Sequence, residues 1–341
     1  MAKSELVKPQ LLTRMDFVSD QTVRWCPGCG NYSILAQTQR KFPDFGISKE
    51  NFVFVSGIGC SSRFPYYIDT YGFHTIHGRA PAIAAGVKLA NPELSVWVVT
   101  GDGDALSIGG NHTIHLMRRN LDINLLMFNN RIYGLTKGQY SPTSELGKVT
   151  KSTPMGSLDR PFNPPALALG ADATFVARTI DRETHHMQNM ISRAYYHHGT
   201  SFLEIYQNCL IFNDGEFRFL TDKETRDDHV LILEHRKPML FGKERNKGIH
   251  LDGNAPKVIE LGDEWSKNDV LVHDERDWII ASILSHFTYR GDLPTPIGVL
   301  YAVDEPVYED MLDDQIQKAM KFQGKGDFKK FVMSGSVWHV E

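Results

Sequence analysis

Apolar runs and helix-like stretches alternate along the first two thirds of this chain, and no other feature constrains its fold as strongly. The runs include "NFVFVSG", "LSVWVVTG" and "INLLMFNN", and stretches such as "RAPAIAAGVKLA" stand between them. Strands that alternate with helices form a mostly parallel sheet with helices on both faces. Ligands of such sheets bind beyond the carboxyl ends of the strands. We therefore predict an α/β fold with its functional residues at strand ends.

The chain has 341 residues, which is enough for one large α/β domain and an extension. The sequence becomes dense in charged residues after Gly215, so we expect a core domain over residues 1–215 and a C-terminal extension over residues 216–341, packed on the core or on a partner. A net charge of −4 gives no sign of nucleic-acid binding. Without a secretory segment or an apolar run of about 18 residues, we expect a cytoplasmic protein that does not bind membranes.

Acidic and amide side chains follow two of the predicted strands. Asp102 lies in "GDGD" after one strand, and Asn130 follows the next strand along the chain. Glycines let a ligand approach the backbone closely, and the start of the following helix favours a phosphate. Carboxylate, amide and carbonyl oxygens suit Mg²⁺. The pattern predicts a site for Mg²⁺ and a diphosphate, and the alternative is a pair of turn-rich loops without a ligand.

The four cysteines are candidates for a single metal site. Cys26 and Cys29 form a C-x2-C pair, and Cys60 and Cys209 follow predicted strands. Two thiolates at this spacing can hold one metal atom or one edge of a cluster. The spacing alone leaves three readings open, namely a structural Zn²⁺, a [4Fe–4S] cluster and buried structural cysteines.

The acidic segment also resembles a known cofactor signature. Between "GDG" and "NN" stand 25 residues (104–128), a spacing similar to that of thiamine-diphosphate enzymes. This resemblance implies that Asp102, Asn130 and the carbonyl of Ile132 bind Mg²⁺. It also favours a [4Fe–4S] cluster over zinc, because a cluster beside thiamine diphosphate can accept electrons from it.

Longer motifs extend the resemblance to one family. The segments "WCPGCGN", "GIGCSSR", "HGRAPAIAAGVKLA", "GDGDALSIGGNH" and "NNRIYGLTKGQYSPTS" resemble the β subunits of 2-oxoacid:ferredoxin oxidoreductases, most strongly those of the two-subunit, 2-oxoglutarate type. The resemblance runs roughly from Arg24 to Gly215. It implies a thiamine-diphosphate-binding fold with Mg²⁺ and one [4Fe–4S] cluster, held by Cys26, Cys29, Cys60 and Cys209.

The resemblance also implies a reaction. The family carries out the coenzyme A-dependent oxidative decarboxylation of a 2-oxoacid, here 2-oxoglutarate to succinyl-CoA and CO₂, and passes the electrons through the cluster to ferredoxin. An α subunit supplies the glutamate that activates the thiamine, so we expect activity only in an αβ or (αβ)₂ assembly. The alternatives are pyruvate or broad 2-oxoacid specificity, a non-redox thiamine-diphosphate lyase or synthase, and a non-catalytic zinc-binding scaffold. The direction of the reaction is left open.

Two further side chains are candidates for catalysis. We expect Lys137 to bind the distal carboxylate of 2-oxoglutarate, because similar 2-oxoglutarate-type members carry a lysine at this point. The alternative is a solvated loop lysine. We expect His77 to contact the thiamine or the substrate, and the alternative is a structural histidine. The predicted cofactor-binding residues are Gly59, Ser61, His77, Gly101, Asp102, Gly103, Asp104, Asn130, Ile132, Gly134, Leu135 and Thr136.

Overall fold

The computed structural model describes residues 12–338 and residue 340. The expectation of no secretory segment is based on the N-terminal residues. Of these, residues 1–11 lie outside the described range. The strands are β1 (Phe52–Ser56), β2 (Tyr71–His74), β3 (Ser95–Gly101), β4 (Ile123–Asn129), β5 (Phe175–Ile180), β6 (Ser201–Tyr206), β7 (Val230–Ile232), β8 (Leu240–Phe241), β9 (Lys247–Asp252), β10 (Ala255–Glu260) and β11 (Thr295–Ala302).

The described helices lie between and after these strands. None of them combines the length and the apolar character needed to cross a membrane. They are α1 (Asn31–Lys41), α2 (Phe64–Tyr67), α3 (Ala80–Ala90), α4 (Asp102–Leu106), α5 (Gly110–Arg119), α6 (Pro164–Gly170), α7 (Thr184–Tyr196), α8 (Arg226–His229), α9 (Trp278–Ser285), α10 (Tyr308–Gln323) and α11 (Phe328–Val332).

Eight strands form the main sheet, in the order β2-β1-β3-β4-β6-β5-β11-β7. Its neighbouring strands are parallel except for β11 and β5, which pair antiparallel. A separate antiparallel sheet has the order β10-β9-β8. The predicted mostly parallel sheet is therefore confirmed.

The central strands are buried because the sheet is covered on both faces. Every residue of β1 and β4 is buried, as expected when both faces of a parallel strand are packed. Successive side chains point to opposite faces. Leu126 and Phe128 accordingly belong to the core under α1 and α7, whereas Leu125 and Met127 belong to the core under α3 and α5. The predicted placement of helices on both faces is confirmed.

Two strands of the main sheet come from the C-terminal part of the chain. β11 pairs with β5 on one side and with β7 on the other. A further apolar core joins β7, β8, β9 and α9 in the same part of the chain. The main sheet thus contains strands from both sides of Gly215, and the division of the chain into two domains at this residue stays a prediction.

The carboxyl ends of β1, β3, β4 and β6 are neighbours along one edge of the sheet. The acidic segment at this edge differs from the loop that the sequence suggests, because α4 begins at Asp102, directly after β3. Carboxylates in the first turn of a helix are stabilised by its backbone dipole. The next helix, α5, begins only at Gly110. The chain therefore turns back onto the sheet immediately after the strand.

Candidate functional site

A cavity of about 650 Å³ opens at this edge of the sheet. Its lining includes all twelve residues predicted to bind the cofactor, and Cys60 as well. These residues come from the segments after β1, β2, β3 and β4. The structure thus brings together residues that are as much as 77 positions apart, from Gly59 to Thr136.

Asp102 is a buried carboxylate in the wall of the cavity. Its Oδ2 atom accepts hydrogen bonds from Ser141 Oγ at 2.5 Å and from Thr143 Oγ1 at 2.6 Å. Burial raises the pKa of Asp102, and the two hydroxyls oppose this rise. No lysine or arginine of the described chain forms an ion pair with it. A buried carboxylate without a counter-charge is costly, so this wall of the cavity fits a cation.

Asn130 and Ile132 belong to a tight turn after β4. The backbone N–H of Ile132 donates to Asn130 Oδ1 at 3.2 Å. Arg131, between them, has a φ of +54° and donates its own N–H to Asn129 Oδ1 at 3.2 Å. Ser144 Oγ donates to the carbonyl of Arg131 at 2.6 Å. The turn is therefore held by side chains on both sides of it.

A buried network connects this turn to the centre of the sheet. Arg178 Nε lies 2.6 Å from Glu204 Oε2, and both side chains are fully buried. Glu204 Oε1 accepts from Asn129 Nδ2 at 2.7 Å. Thr143 Oγ1 lies 2.9 Å from Asn129 Oδ1 and 2.6 Å from Asp102 Oδ2. An ion pair in the core is thereby connected, through Asn129, to Thr143, one of the two hydroxyl residues that hold Asp102.

Asp104 is held by donors of the protein itself. Its Oδ1 atom accepts from His77 Nδ1 at 2.6 Å, from the N–H of Gly78 at 2.7 Å and from the N–H of Ile58 at 3.0 Å. Its Oδ2 atom accepts from Thr100 Oγ1 at 2.6 Å. Because Nδ1 of His77 is engaged, Nε2 is the ring nitrogen available to a ligand. Asp104 positions His77 and the segment after β1.

The four cysteine thiols lie near one another beside the cavity. A Cβ atom built at Gly134 would lie 3.4 Å from Cys209 Sγ and 3.7 Å from Cys60 Sγ. Burial raises the pKa of the Cys29 thiol to about 12, and the nearby charges of the other three cysteines add to this rise. The backbone of Asn31 acts in the opposite direction and lowers the pKa of the Cys29 thiol.

The thiols do not form a site for a single ion. In the described part of the chain, no three histidine, cysteine, aspartate or glutamate side chains come together closely enough to hold one metal ion. A [4Fe–4S] cluster is larger than an ion, so its thiolates surround a volume rather than meet at a point. Four cysteines near one another are the donor set that such a cluster requires.

Comparison with known proteins connects the site to a family. The chain is 52% identical over 330 residues to the 2-oxoglutarate oxidoreductase subunit KorB of Mycobacterium tuberculosis, covering 96% of this chain and 88% of that subunit. It is 44% identical over 246 residues to the 2-oxoacid:ferredoxin oxidoreductase subunit beta of Saccharolobus solfataricus, covering 71% of this chain and 77% of that subunit. The chain belongs to the family of 2-oxoacid:ferredoxin oxidoreductase β subunits.

Two further comparisons agree with this family. Residues 57–205 match the family model of the thiamine pyrophosphate enzyme C-terminal TPP binding domain. This range runs from the end of β1 to β6 and includes most of the residues that line the cavity. The structure also resembles a 2-oxoglutarate:ferredoxin oxidoreductase from Magnetococcus marinus solved with 2-oxoglutarate, coenzyme A and succinyl-CoA bound. That match has a TM-score of 0.75 at 31% identity, covering 96% of this chain and 97% of that one.

Lys137 stands apart from the other predicted site residues of this β subunit. Its side chain is exposed and does not line the cavity, although its neighbour Thr136 does. Its backbone has a φ of +80°, and its N–H donates to the carbonyl of Gly134 at 3.1 Å. The binding of the substrate carboxylate by Lys137 stays a prediction.

Sequence reasoning missed several residues of the β-subunit site. Ser141 and Thr143 hold Asp102, and they lie in the segment "QYSPTS", which the family resemblance included without a role. Tyr133 Oη donates to the carbonyl of Gly103 at 3.0 Å. The other lining residues that were not predicted are Ile58, Phe128, Gln139, Tyr140, Ser152 and Gln207.

Proposed function

We propose that this chain is the β subunit of a 2-oxoglutarate:ferredoxin oxidoreductase. In this reaction 2-oxoglutarate and coenzyme A give succinyl-CoA and CO₂, and the electrons pass to ferredoxin. The observation that carries the proposal is the convergence of a buried Asp102, the turn at Asn130 and Cys60 around one cavity, with the other three cysteines close to Cys60. The names of the relatives and the ligands of the Magnetococcus marinus enzyme support 2-oxoglutarate as the substrate.

The cavity would hold thiamine diphosphate and Mg²⁺. When bound, thiamine diphosphate supplies the electron sink that decarboxylation needs. Asp102, Asn130 and the carbonyl of Ile132 are the proposed ligands of Mg²⁺. Gly101 and Gly103 lack side chains where the diphosphate would approach the backbone. A Cβ atom on Gly103 would lie only 2.2 Å from the ring of Tyr133, so this position has no room for a larger residue.

His77 is the titratable side chain best placed to act on a ligand in the cavity. Asp104 Oδ1 accepts a hydrogen bond from His77 Nδ1, which leaves His77 Nε2 as the ring nitrogen that can accept a proton. The two residues thus resemble the orienting carboxylate and imidazole of a general base. We infer that His77 holds or moves a proton at Nε2, and that Asp104 fixes its tautomer.

The four cysteines would hold the [4Fe–4S] cluster that takes electrons from the cavity toward ferredoxin. Cys60 lies in the wall of the cavity, whereas Cys26 is exposed at the surface. The group of thiols therefore extends from the cofactor site to the solvent, as an electron path requires. We further propose that an α subunit supplies the activating glutamate, in an αβ or (αβ)₂ assembly.

The distal carboxylate of 2-oxoglutarate would need a cation near the mouth of the cavity. Lys137 follows Leu135 and Thr136, which both line the cavity. A lysine side chain has a long, flexible stem, so its ammonium can reach a ligand that the backbone does not touch. We propose Lys137 as the residue that selects 2-oxoglutarate over pyruvate.

Steady-state kinetics with the co-expressed α subunit would test this function. We expect reduction of ferredoxin that depends on both 2-oxoglutarate and coenzyme A, and no turnover by the β chain alone. The β chain should be tested after loading with thiamine diphosphate, Mg²⁺ and cluster. Turnover by the isolated chain would contradict the division of the active site between subunits. Decarboxylation without electron transfer would instead favour a non-redox lyase.

A further inference from the structure

Gln207 lies between the two proposed cofactor sites. It directly follows β6, and its backbone N–H donates to the carbonyl of Asn129 at 2.9 Å. Its side chain is buried and lines the cavity. Two residues further on, Cys209 contributes one of the four thiols. No motif of the sequence gives this glutamine a role.

The side-chain amide of Gln207 makes a different contact with each of its atoms. Oε1 accepts from Asn130 Nδ2 at 2.9 Å. Nε2 donates toward Cys29 Sγ at 3.4 Å and to the carbonyl of Asn208. Both N–H groups and the oxygen of the amide are therefore used. If the amide were reversed, its nitrogen would face the donor Asn130 Nδ2, and its oxygen would face the carbonyl oxygen of Asn208. The contacts determine which way the amide faces.

We propose that Gln207 is a positioning residue that links the Mg²⁺ site to the cysteine cluster. This inference rests on the proposed function, because it assigns Asn130 to Mg²⁺ and Cys29 to a [4Fe–4S] cluster. Gln207 orients the amide of Asn130 with its oxygen, and it donates a hydrogen bond to the thiolate of Cys29 with its nitrogen.

Gln207 orients the side-chain amide of Asn130. The Nδ2 atom of Asn130 donates to Gln207, its Oδ1 atom accepts from the N–H of Ile132, and the residue lines the cavity. Mg²⁺ needs this oxygen and not the nitrogen. Partners that orient a metal ligand typically contribute about ten- to a hundredfold to metal affinity. Loss of the acceptor at position 207 should weaken the binding of Mg²⁺ and thiamine diphosphate by about this factor.

The hydrogen bond from Gln207 to Cys29 would affect the reduction potential of the cluster. Hydrogen bonds to the sulfur atoms are among the features that set the reduction potential of an iron–sulfur cluster. A donor to Cys29 stabilises the more negative, reduced form. Removal of the Nε2 donor of Gln207 should therefore shift the potential to a more negative value.

Two substitutions separate these two effects. Gln207→Leu removes both the acceptor and the donor, so we expect weaker cofactor binding and a more negative potential. Gln207→Glu keeps an oxygen for Asn130 but replaces the donor to Cys29 by a negative charge. We expect it to retain nearly normal cofactor affinity and to shift the potential further than Gln207→Leu does. Gln188→Leu is the matched control, because its amide bonds Gln37 outside the cavity.

The test uses the αβ enzyme with its cluster intact. Anaerobic redox titration followed by electron paramagnetic resonance gives the potential, and calorimetric titration of the thiamine-free enzyme gives the affinity for thiamine diphosphate with Mg²⁺. Unchanged potential and affinity in Gln207→Leu would overturn the inference. If Gln207→Leu does not fold, Gln207→Glu, which has nearly the same shape, still tests the shift in potential. Wild-type enzyme without cluster or thiamine would contradict the proposed function instead.

Discussion

Asp102 and the four cysteines lie at the same edge of the sheet, but their surroundings differ. Asp102 is only 2% exposed and is held by two hydroxyls, which are themselves buried. Cys26 is exposed, and the other three cysteines are partly exposed. A cation and a diphosphate are bound most strongly away from water, whereas electrons must leave the protein at its surface. Under the proposed function, the buried side around Asp102 would bind the cofactor and the open side around the cysteines would transfer electrons.

Asp102→Ala should have the largest effect, because it removes the only charged protein ligand proposed for Mg²⁺. We expect the loss of Mg²⁺-dependent binding of thiamine diphosphate, measured by calorimetry on the αβ enzyme. Asp263→Ala, on an exposed loop, is the matched control. Retained affinity in Asp102→Ala would show that the buried side of the edge is not the Mg²⁺ site.

Cys209→Ala should affect the site formed by the four cysteines and leave the site around Asp102 intact. We expect loss of the [4Fe–4S] signal in electron paramagnetic resonance and loss of ferredoxin reduction. Binding of thiamine diphosphate should remain. The same result is expected for replacement of Cys26, Cys29 or Cys60. A normal cluster spectrum with normal turnover in Cys209→Ala would rule out the proposed set of four ligands.

Glu204→Gln should lower the free energy of unfolding and weaken the buried contacts around Asn129. The substitution leaves Arg178 charged in the core without its partner, which costs about 3–5 kcal/mol. Chemical denaturation of the purified chain measures this change. Asp314→Asn breaks an exposed ion pair with Lys318 and should change stability by less than about 1 kcal/mol. Equal changes in the free energy of unfolding for the two substitutions would mean that the buried Arg178–Glu204 pair stabilises the protein no more than an exposed ion pair does.

Lys137→Ala should have the smallest effect and act on substrate choice alone. Loss of a charge-assisted hydrogen bond costs about 1.5–3 kcal/mol, or roughly ten- to a hundredfold in kcat/KM. We expect this loss for 2-oxoglutarate and little change for pyruvate. Lys151→Ala, also exposed, is the control. Equal losses for both acids would assign Lys137 to cofactor binding or folding.

The sequence predicts the centre of the sheet well because its strands are buried on both faces. Continuous apolar runs such as that of β4 have few alternatives to a core strand, and the polar residues after them mark the strand ends. The pairing of β11 with β5 was not predicted. It joins residues more than a hundred positions apart, and its register shifts at a bulge between Val299 and Tyr301.

The site is predictable only where its residues follow strands. Asp102 and Asn130 do so, and the cavity includes both. Ser141 and Thr143 lie in an irregular segment that no periodicity connects to Asp102, about forty residues away. Gln207 does follow a strand, but its role depends on contacts with two other segments. Tertiary contacts of this kind carry no local signal.

The cofactor content of the anaerobically purified αβ enzyme decides whether this chain binds thiamine diphosphate and a [4Fe–4S] cluster. Iron, acid-labile sulfide and thiamine diphosphate should be measured on the same sample, together with zinc. We expect iron and sulfide in equal amounts, bound thiamine diphosphate and no stoichiometric zinc. Stoichiometric zinc without iron, in protein that retains no thiamine diphosphate, would contradict this expectation.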